Sequence, residues 1–190
     1  MNETLKTILE RRSIRKYSSE QIKDSDLQAI LEAGKFAPSA MNQQPWHFTV
    51  IQNQEMLKRI NEICKTILIK VNNSRMEEQA QKLGLENVNL MYNAPTLMIA
   101  SGNKNAVAPS IDCSLAMENM FLAAASLGIG SCWIHALTHL DSDEEGKEFL
   151  VKESLIPKDY ILVGSAVFGY NAAAAPVPPR RAENNVTIIK

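Results

Sequence analysis

The chain lacks most features that mark specialised protein classes. Only three of its 190 residues are cysteine: Cys64, Cys113 and Cys132. They are odd in number and widely spaced, so no disulfide framework or zinc spacing can be built from them. That usage fits a reducing cytosol. An excess of either charge is also missing. Twenty Lys+Arg against 21 Asp+Glu leave a formal net charge of -1. Such a balance offers no electrostatic footprint for nucleic acid or an anionic membrane. Long apolar runs are absent too. The best candidate, residues 115–134, is broken by Glu118, Asn119, Gly128 and Gly130, so no membrane span is expected. The first nine residues carry Asn2, Glu3 and Lys6 among apolar ones, which reads as an amphipathic helix rather than a signal peptide. The expectation is a soluble, cytoplasmic protein with no nucleic-acid or membrane partner.

What is present suits one domain over residues 1–190. Hydrophobic residues make up 45%, enough for a core at this length. Leu5, Ile8 and Leu9 predict a helix over 2–11. A second is expected over 24–35, with Ser25 and Gln28 as a capping box and Leu27, Ile30 and Leu31 as its buried stripe. Residues 47–52 read as a strand and 54–69 as a helix. Residues 71–90 are polar and read as a helix or a lid. Residues 96–100 read as a strand and 101–105 as a turn. Residues 109–127 form the strongest helix. Its polar face is so small that it is expected to be buried centrally, with Gly128 at its cap. A short strand over 131–134, a surface helix over 141–150 and an apolar strand over 160–168 follow. Residues 171–190 read as an extended C-terminal arm with Pro176, Pro178 and Pro179, ending in a segment, 186–189, suited to lie on another surface. This irregular mixture predicts an α+β fold, with four or five strands packed on a central helix.

Four clusters carry candidate chemistry. Arg11, Arg12 and Arg15 flank Ser13 at a helix end, where guanidinium groups and a hydroxyl suit a phosphate. Taken alone, they suit a solvated helix end better. Pro38, Ser39, Ala40 and Asn42 lie in a loop rich in amide and hydroxyl groups, which can match the donor and acceptor edge of a heterocycle. An ordinary polar loop has the same composition. The run from Gly128 through Gly130, Ser131, Cys132, Trp133, Ile134, His135 and Ala136 follows a helix and precedes a strand. That order is the reverse of a dinucleotide-binding turn. Its glycines fit a helix cap and a tight strand entry, and backbone N–H groups just after the strand remain available to a ligand. Arg180 and Arg181 form a basic pair on the arm. His135 and His139 are four apart but have no third ligand nearby, so no metal site is expected. Cys132 reads as a small packed residue.

In this order and spacing the clusters resemble the nitroreductase family. The matching motifs are Arg-Arg-Ser-Ile-Arg-Lys-Tyr from Arg11, Pro-Ser-Ala-Met-Asn-Gln-Gln-Pro-Trp-His-Phe from Pro38, Gly-Ile-Gly-Ser-Cys-Trp-Ile from Gly128, and Phe-Gly-Tyr before a Pro-rich basic tail. The resemblance covers nearly the whole chain and is weakest over 65–90.

It implies a mostly antiparallel central sheet flanked by helices, in an intertwined homodimer with FMN at the interface. By resemblance, Arg11, Arg12 and Ser13 approach the FMN phosphate and ribityl chain. Arg15 reaches the N1/O2 edge and stabilises the reduced ring. Pro38, Ser39, Ala40 and Asn42 come from the second subunit. Trp133, Ile134, His135 and Ala136 lie beside the ring and offer backbone N–H groups. Arg180, with Arg181, closes on the phosphate. The family's Lys two residues before the tail Arg is Pro178 here, and an acidic residue of some members is His135. The implied activity is ping-pong hydride transfer from NADH or NADPH through flavin N5 to a nitroaromatic, a quinone or a similar small-molecule acceptor, with no catalytic side chain. Alternatives on the same fold are dehalogenation, flavin breakdown and non-enzymatic flavin binding.

Overall fold

Four stretches of β-branched and apolar sequence pair into the sheet that organises the molecule. The computed structural model describes residues 1–71 and 88–190. The element order is α1 (Glu3–Glu10), α2 (Asp24–Lys35), β1 (Trp46–Ile51), α3 (Gln54–Val71), β2 (Thr96–Asn103), α4 (Pro109–Ser126), β3 (Ile129–Trp133), α5 (Glu144–Lys152) and β4 (Tyr160–Tyr170). Short 3-10 turns occupy Ala40–Asn42 and His135–Ser142. The lid expected over 71–90 falls almost wholly at 72–87, outside the described residues.

The strand order is β1-β2-β4-β3, and every neighbouring pair is antiparallel. Alternation along β2 sends Leu97 and Ile99 to one face and Met98 and Ala100 to the other. On the first face lie Ile60 and Ile67 of α3, Leu137 and Leu140 of the 3-10 turn, and Leu150 of α5. On the second lie Ile30 of α2 and Met117 and Met120 of α4. The sheet is thus buried on both faces, which explains why β2 and β4 are near-continuous apolar runs.

Several expectations are corrected. No capping box starts α2: it is entered from Lys23 without a side-chain cap, and Ser25 Oγ faces Asp26 instead. Residues 101–103 extend β2 rather than turning. The pairing with β4 shifts by one residue between Ala100 and Ser101, and Ser101 donates to the His47 carbonyl at 3.3 Å. β3 starts earlier, at Ile129, because Gly128 turns the chain at φ +73°. The surface helix begins at Glu144 rather than at Asp141, because Asp143 caps it by accepting from Glu145 and Gly146 N–H. The long helix α4 is not buried all round. Its inner side is buried, but Ile111 and Leu115 are exposed. Residues 171–190 are exposed throughout, and 186–189 join no strand.

Candidate functional site

The cationic motif becomes an extra edge beside β3. Past α1 the chain runs extended, and Ile14 N–H donates to the Ser131 carbonyl at 2.9 Å. Ser13 and Ser131 form a parallel bridge, and Tyr17 bridges Asn171 in the antiparallel sense. Tyr17 Oη donates to the Ile14 carbonyl at 2.6 Å, which closes the turn between them. Gly130 permits this close approach. A Cβ there would lie 2.9 Å from Ile14 Cβ and collide with Asn171 Oδ1.

Ile14 is buried, so its neighbours Ser13 and Arg15 point to the opposite side. Arg11, Ser13 and Arg15 converge around the buried Cys132 thiol. Burial pushes that thiol's pKa up. The Arg15 charge, a hydrogen bond with Ser13 and the Arg11 charge pull it back. Arg15 Nε–H donates to Tyr92 Oη at 3.3 Å, and its guanidinium carbon lies 5.8 Å from the Tyr92 ring centroid. The Tyr92 hydrogen bond is the main reason the Arg15 pKa rises further. Arg11 lies 3.6 Å from a Glu118 carboxylate oxygen and 6.0 Å from the Phe121 ring. Arg12 is bound up with the helix before it. Its Nη1 donates to the Leu9 and Arg11 carbonyls, both at 2.7 Å, and so caps the C-terminus of α1. Among the described residues no carboxylate pairs with Arg12 or Arg15. Two clefts flank the segment. One of about 350 Å³ lies between α1, the end of α4 and β3, and includes Arg11 and Arg12. The other, about 260 Å³, lies between Ser13, Arg15, Lys16 and the start of the arm at Ala173, Ala174 and Pro176.

The exit of β3 abuts this cluster. The Trp133 ring covers Gly164 and meets Phe121 edge-on at 6.5 Å. Ile134 is buried, and its N–H donates to the Ser165 carbonyl at 2.8 Å. Its amide is therefore taken. His135 and Ala136 open the 3-10 turn, whose first N–H groups have no intrahelical acceptor. His135 and His139 rings meet edge-on at 5.8 Å. Among the described residues no group of three His, Cys, Asp or Glu side chains suits a metal.

The loop before β1 lies elsewhere. The buried Asp112 carboxylate, in the first turn of α4, accepts the Ala40 N–H with both oxygens, at 3.1 and 3.2 Å. Ser39 Oγ accepts the Gln44 N–H at 3.0 Å, and Asn42 Oδ1 accepts from the Gln44 amide at 3.0 Å. Pro38 is exposed. Met41, Asn42 and Gln44 all have positive φ. This loop leads into Trp46, which pairs with Gly102. Ser131 pairs with Phe168, which pairs with Thr96. The two motifs therefore occupy diagonal corners of the sheet. Three inter-strand gaps and six residues along a strand separate the corners by roughly 25 Å. One chain brings Arg11, Ser13, Arg15 and the 133–136 segment together, and leaves Pro38, Ser39, Ala40 and Asn42 apart. Arg180 and Arg181 stay on the exposed arm, where Arg180 pairs with Glu183 at 2.5 Å.

Two residues at these corners escape sequence reasoning. Tyr92 is 77 positions from Arg15. Asp112 carried one signal, an acidic residue in the first turn of an otherwise apolar helix.

Known proteins are similar to this chain in sequence and fold. The Nitroreductase family model matches residues 8–170. An Archaeoglobus fulgidus protein provisionally named NADH dehydrogenase/NAD(P)H nitroreductase is 35% identical, over 90% of this chain and 86% of its own. The NAD(P)H FMN reductase of Bacillus subtilis is 26% identical, over 95% and 70%. The crystal structure of a Bacteroides fragilis nitroreductase with bound FMN matches with a TM-score of 0.89 at 38% identity, over 100% of both chains.

Proposed function

The chain belongs to the nitroreductase family, and from that premise we propose that its β3 corner holds FMN in a site completed by a second copy of the chain. It is an FMN-dependent NAD(P)H oxidoreductase. The observation that carries the site is that Arg11, Ser13 and Arg15, on the segment paired to β3, all act on the one Cys132 thiol.

The donor set fits that cofactor. Two guanidinium groups and a hydroxyl suit a phosphate and an electron-rich ring edge, and among the described residues Glu118 is the only carboxylate paired with them. Arg11 and Ser13 would hold the phosphate end. Arg12 would join them with the guanidinium nitrogens that its capping bonds leave over. Arg15 would face the pyrimidine edge, where its fixed charge favours the reduced form. The Trp133 and Ile134 side chains are committed to packing, so the His135 and Ala136 amides would be the donors there. When bound, FMN supplies the redox chemistry, a two-electron exchange between NADH or NADPH and a nitroaromatic, quinone or similar acceptor in a ping-pong cycle. The protein holds, orients and shields, and needs no acid or base of its own.

The diagonal separation supports the second copy. Pro38, Ser39, Ala40 and Asn42 cannot reach the β3 corner of their own chain and would complete the partner's site. Exposed apolar residues also call for cover: Leu5, Ile8 and Leu9 on α1, and Ile111 and Leu115 on α4. On this reading residues 1–190 are one FMN-binding domain. The arm over 171–190 wraps the second subunit and brings Arg180 or Arg181 to a phosphate. Three unpaired buried cysteines agree with a cytoplasmic home.

The purified protein should retain FMN, oxidise NADH or NADPH when an acceptor is added, and scatter light as a dimer. Arg15→Ala should weaken FMN retention or slow flavin reduction. Colourless protein that gains no flavin absorbance with added FMN would falsify the assignment. A monomer with FMN bound would refute the shared site.

A further inference from the structure

Tyr92 sits in a turn that the chain holds against local preference. Tyr92 and Asn93 have φ values of +56° and +53°. That region is costly for a bulky side chain and persists only where neighbours enforce it. Here they do. Tyr92 N–H donates to the Asn89 carbonyl at 3.0 Å, and Ala94 N–H to the Met91 carbonyl at 3.0 Å. The side chain of Asn61, buried on α3, accepts the Leu90 N–H at 2.9 Å. Asn89 ties to Asn93 through their side chains at 2.8 Å.

This turn delivers the Tyr92 ring to Arg15, with Oη accepting from Nε and the ring against the guanidinium. The contact uses only the Nε–H of the five guanidinium donors and leaves both terminal nitrogens to face a ligand. The Tyr17 bond to the Ile14 carbonyl fixes the backbone of the same short segment. Arg15 is therefore held at both ends.

We propose that Tyr92 is a positioning residue that fixes the Arg15 guanidinium in the orientation that favours the reduced over the oxidised flavin. The proposal rests on the reading of Arg15 as the residue at the flavin ring edge. A free arginine would spread its charge over many rotamers and solvent positions. The phenol confines it to one, so the charge is in place before reduction occurs.

The test is the midpoint potential of bound FMN, with its affinity, in the holoprotein and three variants: Tyr92→Phe, Arg15→Gln and the double variant. Tyr92→Phe keeps the ring and loses the hydrogen bond. It should leave the affinity for oxidised FMN within about twofold. It should weaken the preference for the reduced form by about threefold to tenfold, a drop of about 15 to 30 mV for a two-electron couple. Arg15→Gln should shift the potential further, and Tyr92→Phe should add nothing to it. A wild-type potential in Tyr92→Phe alongside a shifted Arg15→Gln overturns the proposal and leaves the flavin assignment standing. So does full additivity in the double variant. If Arg15→Gln changes neither potential nor affinity, the assignment of Arg15 to the flavin fails and the proposal fails with it.

Discussion

The two corners of the sheet that carry the motifs are made by opposite means. At the β3 corner the cationic segment is stitched to the sheet by backbone hydrogen bonds and a glycine that lets the chains touch. At the β1 corner no ladder holds the loop. It is held by the buried Asp112 carboxylate and by side-chain hydrogen bonds through Ser39, Asn42 and Gln43, with Met41, Asn42 and Gln44 in left-handed conformations. Left-handed backbone costs an ordinary residue of order 1 kcal/mol, so the loop is shaped at some expense. The adjoining Phe36 and Met41 lie 79% and 84% exposed. One corner is a charged half-site built on rigid pairing. The other, on the proposed reading, is a preformed surface for a second copy.

The largest effect should come from breaking the stitched corner. Gly130→Val places methyl groups where Ile14 Cβ and Asn171 Oδ1 already stand. Ile14 cannot yield without lifting the whole cationic segment off β3. Overpacking of this kind costs about 3 kcal/mol. Urea unfolding should show that loss, and FMN retention should fall with it. A variant that unfolds at the wild-type midpoint would mean that the segment is not pinned where it crosses Gly130.

The β1 corner should break more gently and more locally. Asp112→Ala removes the sole carboxylate on the Ala40 N–H and leaves that amide unpaired. Losing a hydrogen bond to a buried charge costs about 1.5 to 2 kcal/mol. Hydrogen exchange should quicken at the Ala40 amide and stay unchanged at Ile14, whose partner is the Ser131 carbonyl. FMN affinity should drop even though no residue of the β3 corner has changed. Equal protection of Ala40 in variant and wild type would remove Asp112 from this role.

The contrast is only half legible in the sequence. α2 can be read to its last residue, because Leu27 and Ile30 mark one face and Gly34 lies at its end. The order of the clusters shows that they belong together. It cannot show that they lie on diagonal corners, because strand order and register follow from long-range pairing, which no local pattern encodes. The turn expected over 101–105 fails at 101–103 for a similar reason. Ser101, Gly102 and Asn103 are loop-like in composition, but pairing with the neighbouring strands and the His47 carbonyl satisfy them inside the strand. α4 looks buried because its sequence is apolar all round. Apolar residues such as Ile111 and Leu115 can equally mark a surface awaiting a partner. Arg12 looks identical to Arg11 and Arg15, yet ending a helix consumes part of its bonding capacity.

The subtlest test of the comparison leaves the fold intact and uses two native thiols as electrostatic probes. Cys132 lies at the cationic corner and Cys113 lies beside Asp112 near the other. Both are buried, and burial raises both pKa values. Asp112 adds to the rise at Cys113, which reaches about 12. Arg15, Ser13 and Arg11 oppose it at Cys132. A thiol raised above its unfolded value of 9.0 binds its proton more tightly in the fold. Its contribution to stability is complete below about pH 9 and declines as the pH climbs toward about 12. The thiolate is the form that reacts. Iodoacetamide labelling of the folded protein with rising pH should therefore modify Cys132 before Cys113. Arg15→Gln should slow labelling at Cys132 and leave Cys113 unchanged, since the arginine lies at only one corner. If Cys113 reacts first, or if Arg15→Gln leaves the Cys132 rate unaltered, the electrostatic difference between the corners is not real, and the case for an anion at the β3 corner weakens with it.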